Sequence, residues 1–341
     1  MNNIKPENIT NIFDTVVNCD TKISRADIAA EANLSIMTVG KIIDAFITNG
    51  ILLQSKEIKG SAGRKAGLVM LNPEHTAFVI DLTSYNFCFT VIDFCLKPDE
   101  KIIYPYNRDY SYQQNLIIFF KNIKMYFDNK FNAESKYYGV GVIVPGRYNA
   151  AADNVVNNYI PELEIIGIKS IIENITGYDI TFIDSDIEAA ARSIVNKKYN
   201  QNIVHVNINK QNQLKSSMIF GGKVLQNSLY NTGNIGNIYV GNNVTMQAVL
   251  KERKKFDDCI PEICHVLHSI INIMTPDIFV IECDLCKISG GIKNKIFECL
   301  INEYKLQKNL LPEIVISCEP VQHSHRGIAI KLRDIWFEKL L

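Results

Sequence analysis

The sequence lacks any apolar run long enough to cross a membrane. Its longest apolar runs, such as Leu116 to Phe120 and Ile278 to Ile281, fall far short of the ~20 residues that a membrane helix needs. No basic segment followed by an apolar one opens the chain, so no secretory leader is indicated. We therefore expect a cytoplasmic protein with no membrane partner.

The chain also lacks net charge, because 36 Lys and Arg residues balance 36 Asp and Glu residues. Residues 1–70 hold eight basic side chains against seven acidic ones. Composition therefore neither supports nor excludes a nucleic-acid partner. DNA binding would depend on where the basic side chains lie and on a dimer that doubles their number. At 341 residues with 47% hydrophobic content, the chain has room for two or three domains, each with a sizeable core.

The positions of the cysteines and histidines indicate neither a disulfide framework nor a metal site. The nine cysteines are scattered and odd in number, which suits reduced, buried thiols. Cys283 and Cys286 have a metal-like spacing, but a zinc site needs about four ligands. The pairs His265/His268 and His323/His325 are typical of packed or solvated histidines. We predict no metal ion and no cofactor.

What the first seventy residues do contain is a run of three amphipathic helices. Asn8 to Asn18 has apolar residues at helical spacing, and Ser24 precedes a short second helix with Asp27 three residues later, close to a capping box. Ser35 is the predicted N-cap of a third helix that ends at Asn49-Gly50.

An apolar strand at Ile51–Leu53 and the polar loop Gly60–Lys65 complete the pattern of a winged helix-turn-helix. Any three-helix bundle can present a similar face, but the wing loop favours the DNA-binding interpretation. The third helix would enter the major groove, and the loop would contact a minor groove or the backbone. The predicted DNA-contacting residues are Arg25, Ser35, Met37, Thr38, Lys41, Arg64 and Lys65.

From Thr76 onward the pattern changes to that of an α/β domain. Three successive strands are predicted at 77–82, 87–93 and 101–104, followed by a helix from Gln113 to Phe127. A continuous apolar strand, Tyr138 to Val144, then stops at Pro145-Gly146. Strands that alternate with helices indicate the α/β class.

Several segments in this region resemble motifs of the ROK family (repressors, open reading frames and sugar kinases). Gly139–Gly146 resembles GIGIAVPG, and Ile183–Ala191 is similar to the family's E-N-D-x-N-A-A-A segment. Gly63–Gly67 resembles the G-R-R-P wing of the repressor branch. The remaining matches, in chain order, are Gly221–Val224 with the "n-G-k-l" turn, Thr232–Asn237 with A-G-E-I-G-H, and Ile273–Ile281 with a helix end, "n-P" turn and strand. Each motif is weak alone, but their order spans nearly the whole chain.

The resemblance implies an actin-like, ribonuclease H-like sugar kinase fold of two lobes with a sugar and ATP cleft between them. The expected organisation is a winged helix-turn-helix over 1–72, a first α/β lobe over 73–190 and a second α/β lobe over 191–341. The C-terminal helix of the second lobe is able, in this scheme, to pack back on the first.

Kinase chemistry needs two glycine-containing phosphate loops, and both have lost their glycines. The first loop, D-x-G-x-T in sugar kinases, reads Asp81–Tyr85 here, and the second, G-T-G-I-G, is replaced by Asn207–Gln213. We therefore predict that ATP does not bind, that no residue is catalytic and that the chain is not an enzyme.

Asp186 is the one residue that matches the family's catalytic position. A helix N-cap is the equally weighted alternative for this residue, since an Ala-rich helix follows it. The resemblance also places Ser185 at the sugar-binding Asn, Asn234 at the Glu and Asn237 at the zinc-binding His of the family. If a ligand binds, it should lie between the lobes near Pro145, Gly146, Asn157, Asn158, Ser185, Asp186, Asn234 and Asn237.

These features together predict a DNA-binding transcriptional regulator, in the family's commoner mode a repressor of carbohydrate-related genes. Its partners would be a double-stranded DNA operator, a sugar or sugar-derivative effector, and a second copy in a homodimer or dimer of dimers. Two alternatives remain open: a ROK-fold sugar kinase with residual activity, and a regulator that no longer binds sugar and responds to another partner.

Overall fold

Three helices open the chain, and the sequence predicts each of them. The computed structural model describes residues 5–19, 21–59, 66–130, 137–156, 160–195, 201–208, 212–225, 233–241, 243–253, 256–283, 291–317 and 320–340. The first three helices are α1 (Pro6–Val17), α2 (Arg25–Ala32) and α3 (Ile36–Thr48). Their apolar faces meet in one small core.

The predicted caps of α2 and α3 are confirmed. The Ser24 hydroxyl accepts a hydrogen bond from the Asp27 amide at 3.1 Å and donates one to the Asp27 carboxylate at 2.8 Å. The Ser35 hydroxyl accepts from the Thr38 amide at 3.2 Å. Asn33, at the end of α2, adopts the left-handed conformation with φ of 53°. These contacts satisfy amide groups at the helix ends and fix the sharp turn between α2 and α3.

A three-stranded antiparallel sheet closes this N-terminal unit. Its strands are β1 (Ile23–Ser24), β2 (Leu52–Lys59) and β3 (Ala66–Leu71), in the order β1-β3-β2. The sequence predicted only the beginning of β2, at Ile51–Leu53, and missed β1 and β3. Residues 60–65, between β2 and β3, lie outside the described residues.

The second unit is built on a five-stranded mixed sheet. Its strands are β4 (Thr76–Asp81), β5 (Phe87–Asp93), β6 (Pro98–Tyr104), β7 (Tyr137–Val144) and β10 (Phe182–Ser185), in the order β10-β7-β4-β5-β6. Strands β4, β7 and β10 run parallel, and β5 and β6 form the antiparallel side. The helices are α4 (Tyr112–Lys130) and α5 (Ile168–Thr176), with a hairpin of β8 (Arg147–Asn149) and β9 (Asn154–Val156). The predicted strands and the predicted helix of this region are confirmed.

The third unit repeats the same connectivity. Its strands are β11 (Ile203–Ile208), β12 (Leu214–Phe220), β13 (Lys223–Val224), β14 (Ile278–Cys283) and β15 (Glu313–Ser317), in the order β13-β12-β11-β14-β15. Its helices are α7 (Met246–Glu252), α8 (Ile260–Met274) and α9 (Ile292–Asn302). Short 3-10 helices lie at Pro161–Glu164, Ile235–Asn237, Phe256–Cys259 and Lys308–Leu310. In both sheets the central strand continues into a three-stranded antiparallel meander on one side and has two parallel strands on the other.

A helix follows the last strand of each sheet, and these two helices pack against each other. They are α6 (Asp186–Ile194) and α10 (Pro320–Glu338). Gly327 permits their close approach, since a Cβ at this position would overlap the main-chain carbonyl of Ala189. Helix α10 also contacts β7 and β4, so the C-terminal helix packs on the first lobe.

One hydrophobic core joins the N-terminal unit to the first lobe through α10. Phe337 of α10 stacks on Phe13 of α1 with ring centroids 3.8 Å apart. Phe46 contacts both of these rings, and Phe94 contacts Phe13. All four rings are buried. The N-terminal unit is therefore packed against the lobe. No helix in the described part of the chain is long and apolar enough to span a membrane.

Candidate functional site

The cleft between the lobes contains Asp186 at the first position of α6. The Ser185 hydroxyl, one residue earlier, accepts a hydrogen bond from the Glu188 amide at 3.3 Å and so caps the helix. The capping interpretation of Asp186 is therefore wrong, because Ser185 performs that role. The Asp186 carboxylate instead points toward the second lobe.

Lys215 of β12 occupies the space in front of Asp186. Its ammonium lies 2.6 Å from Asp186 Oδ2 and donates a second hydrogen bond to the Pro145 carbonyl at 2.8 Å. The two side chains are 19% and 25% exposed, respectively. Burial raises the pKa of Asp186 and Lys215 opposes that rise, but the net shift remains upward. Lys215 from the second lobe thus forms an ion pair with the Asp186 carboxylate at the start of α6.

More charged side chains surround this pair. Arg192 donates to Asp184 with 2.8 Å between Nε and Oδ2, and Arg147 lies 3.5 Å from Glu188. Burial and the neighbouring Glu188 raise the pKa of Asp184, while Arg192 counteracts the shift. Two further ion pairs therefore link α6 to β10 and to β8.

The first phosphate-loop position is also closed. The Asp81 carboxylate accepts hydrogen bonds from the Thr83 amide at 2.8 Å and the Thr83 hydroxyl at 2.6 Å. Its other oxygen lies 2.8 Å from Nε2 of His325 in α10. Burial would raise the pKa of Asp81, but His325 and Thr83 together lower it below its ordinary value. Both carboxylate oxygens are thus taken up within the protein.

The second phosphate-loop position is described only at its ends, because residues 209–211 lie outside the described part of the chain. The Gln247 side chain of α7 donates to the Asn212 carbonyl and accepts from the Leu214 amide, each at 2.8 Å. These bonds tie the start of β12 to α7.

The other predicted ligand-binding residues differ in burial and in the element on which they lie. Pro145 is buried and Gly146 half-buried where β7 ends, whereas Asn234 and Asn237 are exposed around the Ile235–Asn237 3-10 helix. That helix is bound to β12, since the Ser216 hydroxyl donates to the Gly233 carbonyl and accepts from the Ile235 amide. Asn157 and Asn158 lie outside the described residues, as does Cys286. No group of metal ligands is found among the described residues.

A second candidate site is the N-terminal end of α3. Ile36 and Met37 are 65% and 75% exposed there, and Lys41 is exposed one turn later. The Ser35 and Thr38 hydroxyls lie 2.9 Å apart in the cap. Arg25 forms a 2.6 Å ion pair with Asp44, so it links α2 to α3. Arg64 and Lys65 lie outside the described residues.

Sequence reasoning missed the side chains that close the cleft. Lys215 carries no local signal, and His323 and His325 were interpreted as packed or solvated histidines. Their partners come from distant strands and become visible only in the folded chain. One signal was present: buried Asp81 needs a partner, and a buried carboxylate is normally paired.

Comparison with solved structures shows which fold this architecture is. A ROK family transcriptional regulator, a homologue of the E. coli Mlc protein, is 14% identical, with a TM-score of 0.68, over 98% of this chain and 99% of that chain. A ROK family protein from Streptococcus pneumoniae TIGR4 in complex with sucrose is 11% identical, with a TM-score of 0.58, over 78% of this chain and 100% of that chain. A ROK hexokinase from Thermus thermophilus is 12% identical, with a TM-score of 0.56, over 76% of this chain and 99% of that chain.

No family model matches the sequence, and no curated protein matches it. The likeness is therefore one of three-dimensional structure at low identity, and it extends across kinases and a regulator alike. The resemblance to the ROK family that the motifs indicated is confirmed at this level: the chain has the actin-like, two-lobed fold of ROK proteins.

Proposed function

We propose that the chain is a DNA-binding transcriptional regulator, a repressor, whose kinase-like lobes form a sensor without phosphoryl transfer. The observation that carries this proposal is the exposed N-terminal end of α3, where Ile36 and Met37 face solvent on a helix otherwise anchored in a core. Large apolar side chains in such a position suit contact with thymine methyl groups in a major groove.

The N-terminal unit supports the same proposal by its architecture and extent. Three helices with a tight α2–α3 turn and a β2–β3 hairpin suit a winged helix-turn-helix over residues 1–72, with lobes over 73–190 and 191–341. The likeness to the regulator covers 98% of this chain, whereas those to the sucrose-bound protein and the hexokinase cover 78% and 76%. The difference is about the size of this N-terminal unit.

DNA contacts are assigned to α3, its cap and the hairpin tip. Met37 would reach the groove, and Lys41 and the hydroxyls of Ser35 and Thr38 would meet phosphates. Arg25 would support α3 through Asp44 while facing the backbone, and Arg64 and Lys65 would act from the wing. Two such units in a homodimer or dimer of dimers would read two half-sites of an operator.

The lobes are assigned a sensing role because their chemical positions are internally occupied. Asp186 is paired with Lys215 and Asp81 with His325, so neither carboxylate is free to serve a sugar hydroxyl or a nucleotide-bound cation. A sugar or sugar derivative would enter near Pro145, Gly146, Asn157, Asn158, Ser185, Asp186, Asn234 and Asn237. It would have to displace Lys215, and the resulting lobe movement would change the spacing of the DNA-binding units.

Two alternatives have specific observations in their favour. The Lys215 ion pair favours a regulator that responds to a partner other than sugar, since the cleft is closed without a ligand. The position of Asp186 at the start of α6 favours a sugar kinase with residual activity. Formation of a sugar phosphate and ADP from a sugar and ATP, lost in Asp186→Asn, would establish the kinase.

Lys41→Ala tests the assignment of α3 to DNA. Removing one phosphate contact per subunit should weaken binding by about 3- to 10-fold and reduce the slope of log affinity against log salt by about two in a dimer. The measurement is a salt-titrated gel shift on the DNA upstream of the chain's own gene. Arg64→Ala should act in the same direction.

The matched control is Lys121→Ala, which removes an exposed lysine from α4 in the first lobe. Its affinity and salt slope should equal those of the wild type. Unaltered DNA affinity in both Lys41→Ala and Arg64→Ala would contradict the placement of α3 in the major groove.

Gly40→Ala separates DNA contact from folding. Gly40 lies inside α3, and a Cβ there would meet only the Arg25 guanidinium, at 3.9 Å. Alanine should therefore stabilise the helix by about 0.5–1 kcal/mol. If the backbone of α3 approaches DNA closely at this point, affinity should fall although the unfolding midpoint rises. Unchanged affinity would place Gly40 away from the groove.

A further inference from the structure

The connection between the N-terminal unit and the first lobe is buried and hydrogen-bonded. Asn72 and His75 are 1% and 6% exposed. The side-chain amide of Asn72 donates to the Gly50 carbonyl at 2.9 Å, and His75 Nε2 lies 3.0 Å from the same oxygen. Gly50 comes directly after α3 and its C-cap, so both side chains hold the connection to the end of that helix. A flexible linker would instead be exposed and make few such contacts.

Three aromatic rings from different parts of the chain meet at this connection. His75 belongs to the connection itself, Phe94 follows β5 in the first lobe, and Trp336 lies in α10. The ring centroids are 5.2 Å apart for His75 and Trp336, 5.5 Å for His75 and Phe94, and 5.3 Å for Phe94 and Trp336. Each ring therefore contacts the other two, and together the three residues form an aromatic joint.

Phe94 of the aromatic joint is held by both its main chain and its ring. Arg333 of α10 is buried, and its guanidinium donates a hydrogen bond to the Phe94 carbonyl at 3.0 Å. The guanidinium carbon of Arg333 lies 5.8 Å from the centre of the Phe94 ring, within the range of a cation–π contact. The same ring contacts Phe13 of α1. The aromatic joint therefore continues into the core that the N-terminal unit, the first lobe and α10 share.

We propose that the aromatic joint fixes the N-terminal unit on the first lobe, so that the two move as one rigid body and α3 keeps a single orientation relative to the lobe. Independent movement of the unit would open the shared core and expose Phe13, Phe94 and Phe337, which are now buried. Packed cores resist continuous deformation, and an apolar interface suppresses the relative motion that a polar one permits. The boundary near residue 72 is therefore a fixed contact and not a hinge.

The aromatic joint also determines how an operator is read, a consequence that rests on the proposed function. With each N-terminal unit fixed on its lobe, a dimer reads two half-sites at one spacing. A lobe movement would then be transmitted in full to the DNA-binding units. His75 and Trp336 lie away from the exposed end of α3, so they are positioning residues for DNA binding.

Small-angle X-ray scattering of the full chain tests the aromatic joint without DNA. The variants are His75→Ala, Trp336→Ala and Trp336→Phe, of which the last keeps an aromatic ring. His268→Ala is the matched control, because its ring packs on Tyr304 in the second lobe with 4.8 Å between centroids. Wild type, Trp336→Phe and the control should each fit one arrangement of the units, whereas both alanine variants of the joint should have a larger radius of gyration. Wild-type scattering that requires several orientations of the N-terminal unit overturns the proposal, whether or not the variants fold.

Half-site spacing gives a readout that a merely stabilising contact would not change. Gel shifts compare the upstream duplex with one that carries an insertion of about 5 bp, half a helical turn, between its half-sites. The insertion should weaken wild-type binding by about 100-fold or more, because only one unit of the dimer can then bind, and His75→Ala binding by about 10-fold or less. Equal losses in wild type and His75→Ala overturn the aromatic joint. No preference for the upstream duplex contradicts DNA binding alone, and the scattering result then decides on the joint.

Discussion

Gly327→Ala is expected to lower the free energy of unfolding by about 3 kcal/mol, because a methyl group at this position enters the backbone of the neighbouring helix. A Cβ on Gly327 would overlap the Ala189 carbonyl oxygen and lie 2.6 Å from the carbonyl carbon. Main-chain atoms inside a helix cannot rotate away as a side chain can. Helices α6 and α10 would have to move apart along their whole contact. Because Ile328 and Leu332 of α10 pack against β7, this movement would also disturb the contact between α10 and the first sheet.

Urea denaturation of the wild type and Gly327→Ala measures this effect. Gly291→Ala is the control, since a Cβ there meets no atom within 4 Å and its φ of −122° suits any residue. Gly291→Ala should leave the midpoint within experimental error. Equal midpoints for Gly327→Ala and the wild type would mean that α6 and α10 do not pack as closely as described.

Lys215→Met is expected to cost about 1–3 kcal/mol, because it leaves the Asp186 carboxylate in the cleft without its cation. Both side chains keep some solvent contact, 19% and 25% exposed, so the cost should fall below that of a fully buried pair. The Pro145 carbonyl also loses a donor. Asp186→Asn removes the charge that Lys215 neutralises and should be destabilising by a smaller amount.

A double-mutant cycle isolates the interaction. The double variant Lys215→Met/Asp186→Asn should be less destabilised than the sum of the single variants by about 1–2 kcal/mol. Additive effects in urea denaturation would show that the ion pair does not hold the lobes. In the DNA assay, Asp186→Asn should abolish the response to an effector while leaving operator affinity intact. An unchanged response would place the effector elsewhere.

The N-terminal unit was largely predictable, because its signals are local. Ser24 and Ser35 precede apolar-periodic segments, and each caps its helix as the spacing indicates. Strand β3 is as long as β4, but it was missed because it follows a segment rich in Gly and Ser and itself contains Gly67. Its identity as a strand comes from pairing with β2 and β1 on both sides, which no local pattern reveals.

The strands of the lobes were also predictable, since buried strands read as continuous apolar runs. The interior of the cleft was not. Lys215 lies 29 residues from Asp186, and His325 lies 244 residues from Asp81, so the contacts that occupy both positions depend on the lobes being folded together. The absence of glycines from the two loop segments predicted that phosphate does not bind there. It did not predict which side chains would contact Asp81 and Asp186 instead.

Specific DNA binding by the N-terminal unit is measured most directly by fluorescence anisotropy with a duplex from upstream of the chain's own gene, at about 50 to 200 mM salt. A scrambled duplex is the control, and the titration is repeated with a panel of sugars and sugar phosphates. We expect sequence-specific binding that weakens steeply with salt. Release by one sugar would make the lobes a sugar sensor, whereas indifference to all sugars would favour another partner. No preference for the upstream duplex over the scrambled one at any salt concentration would contradict DNA binding by the N-terminal unit.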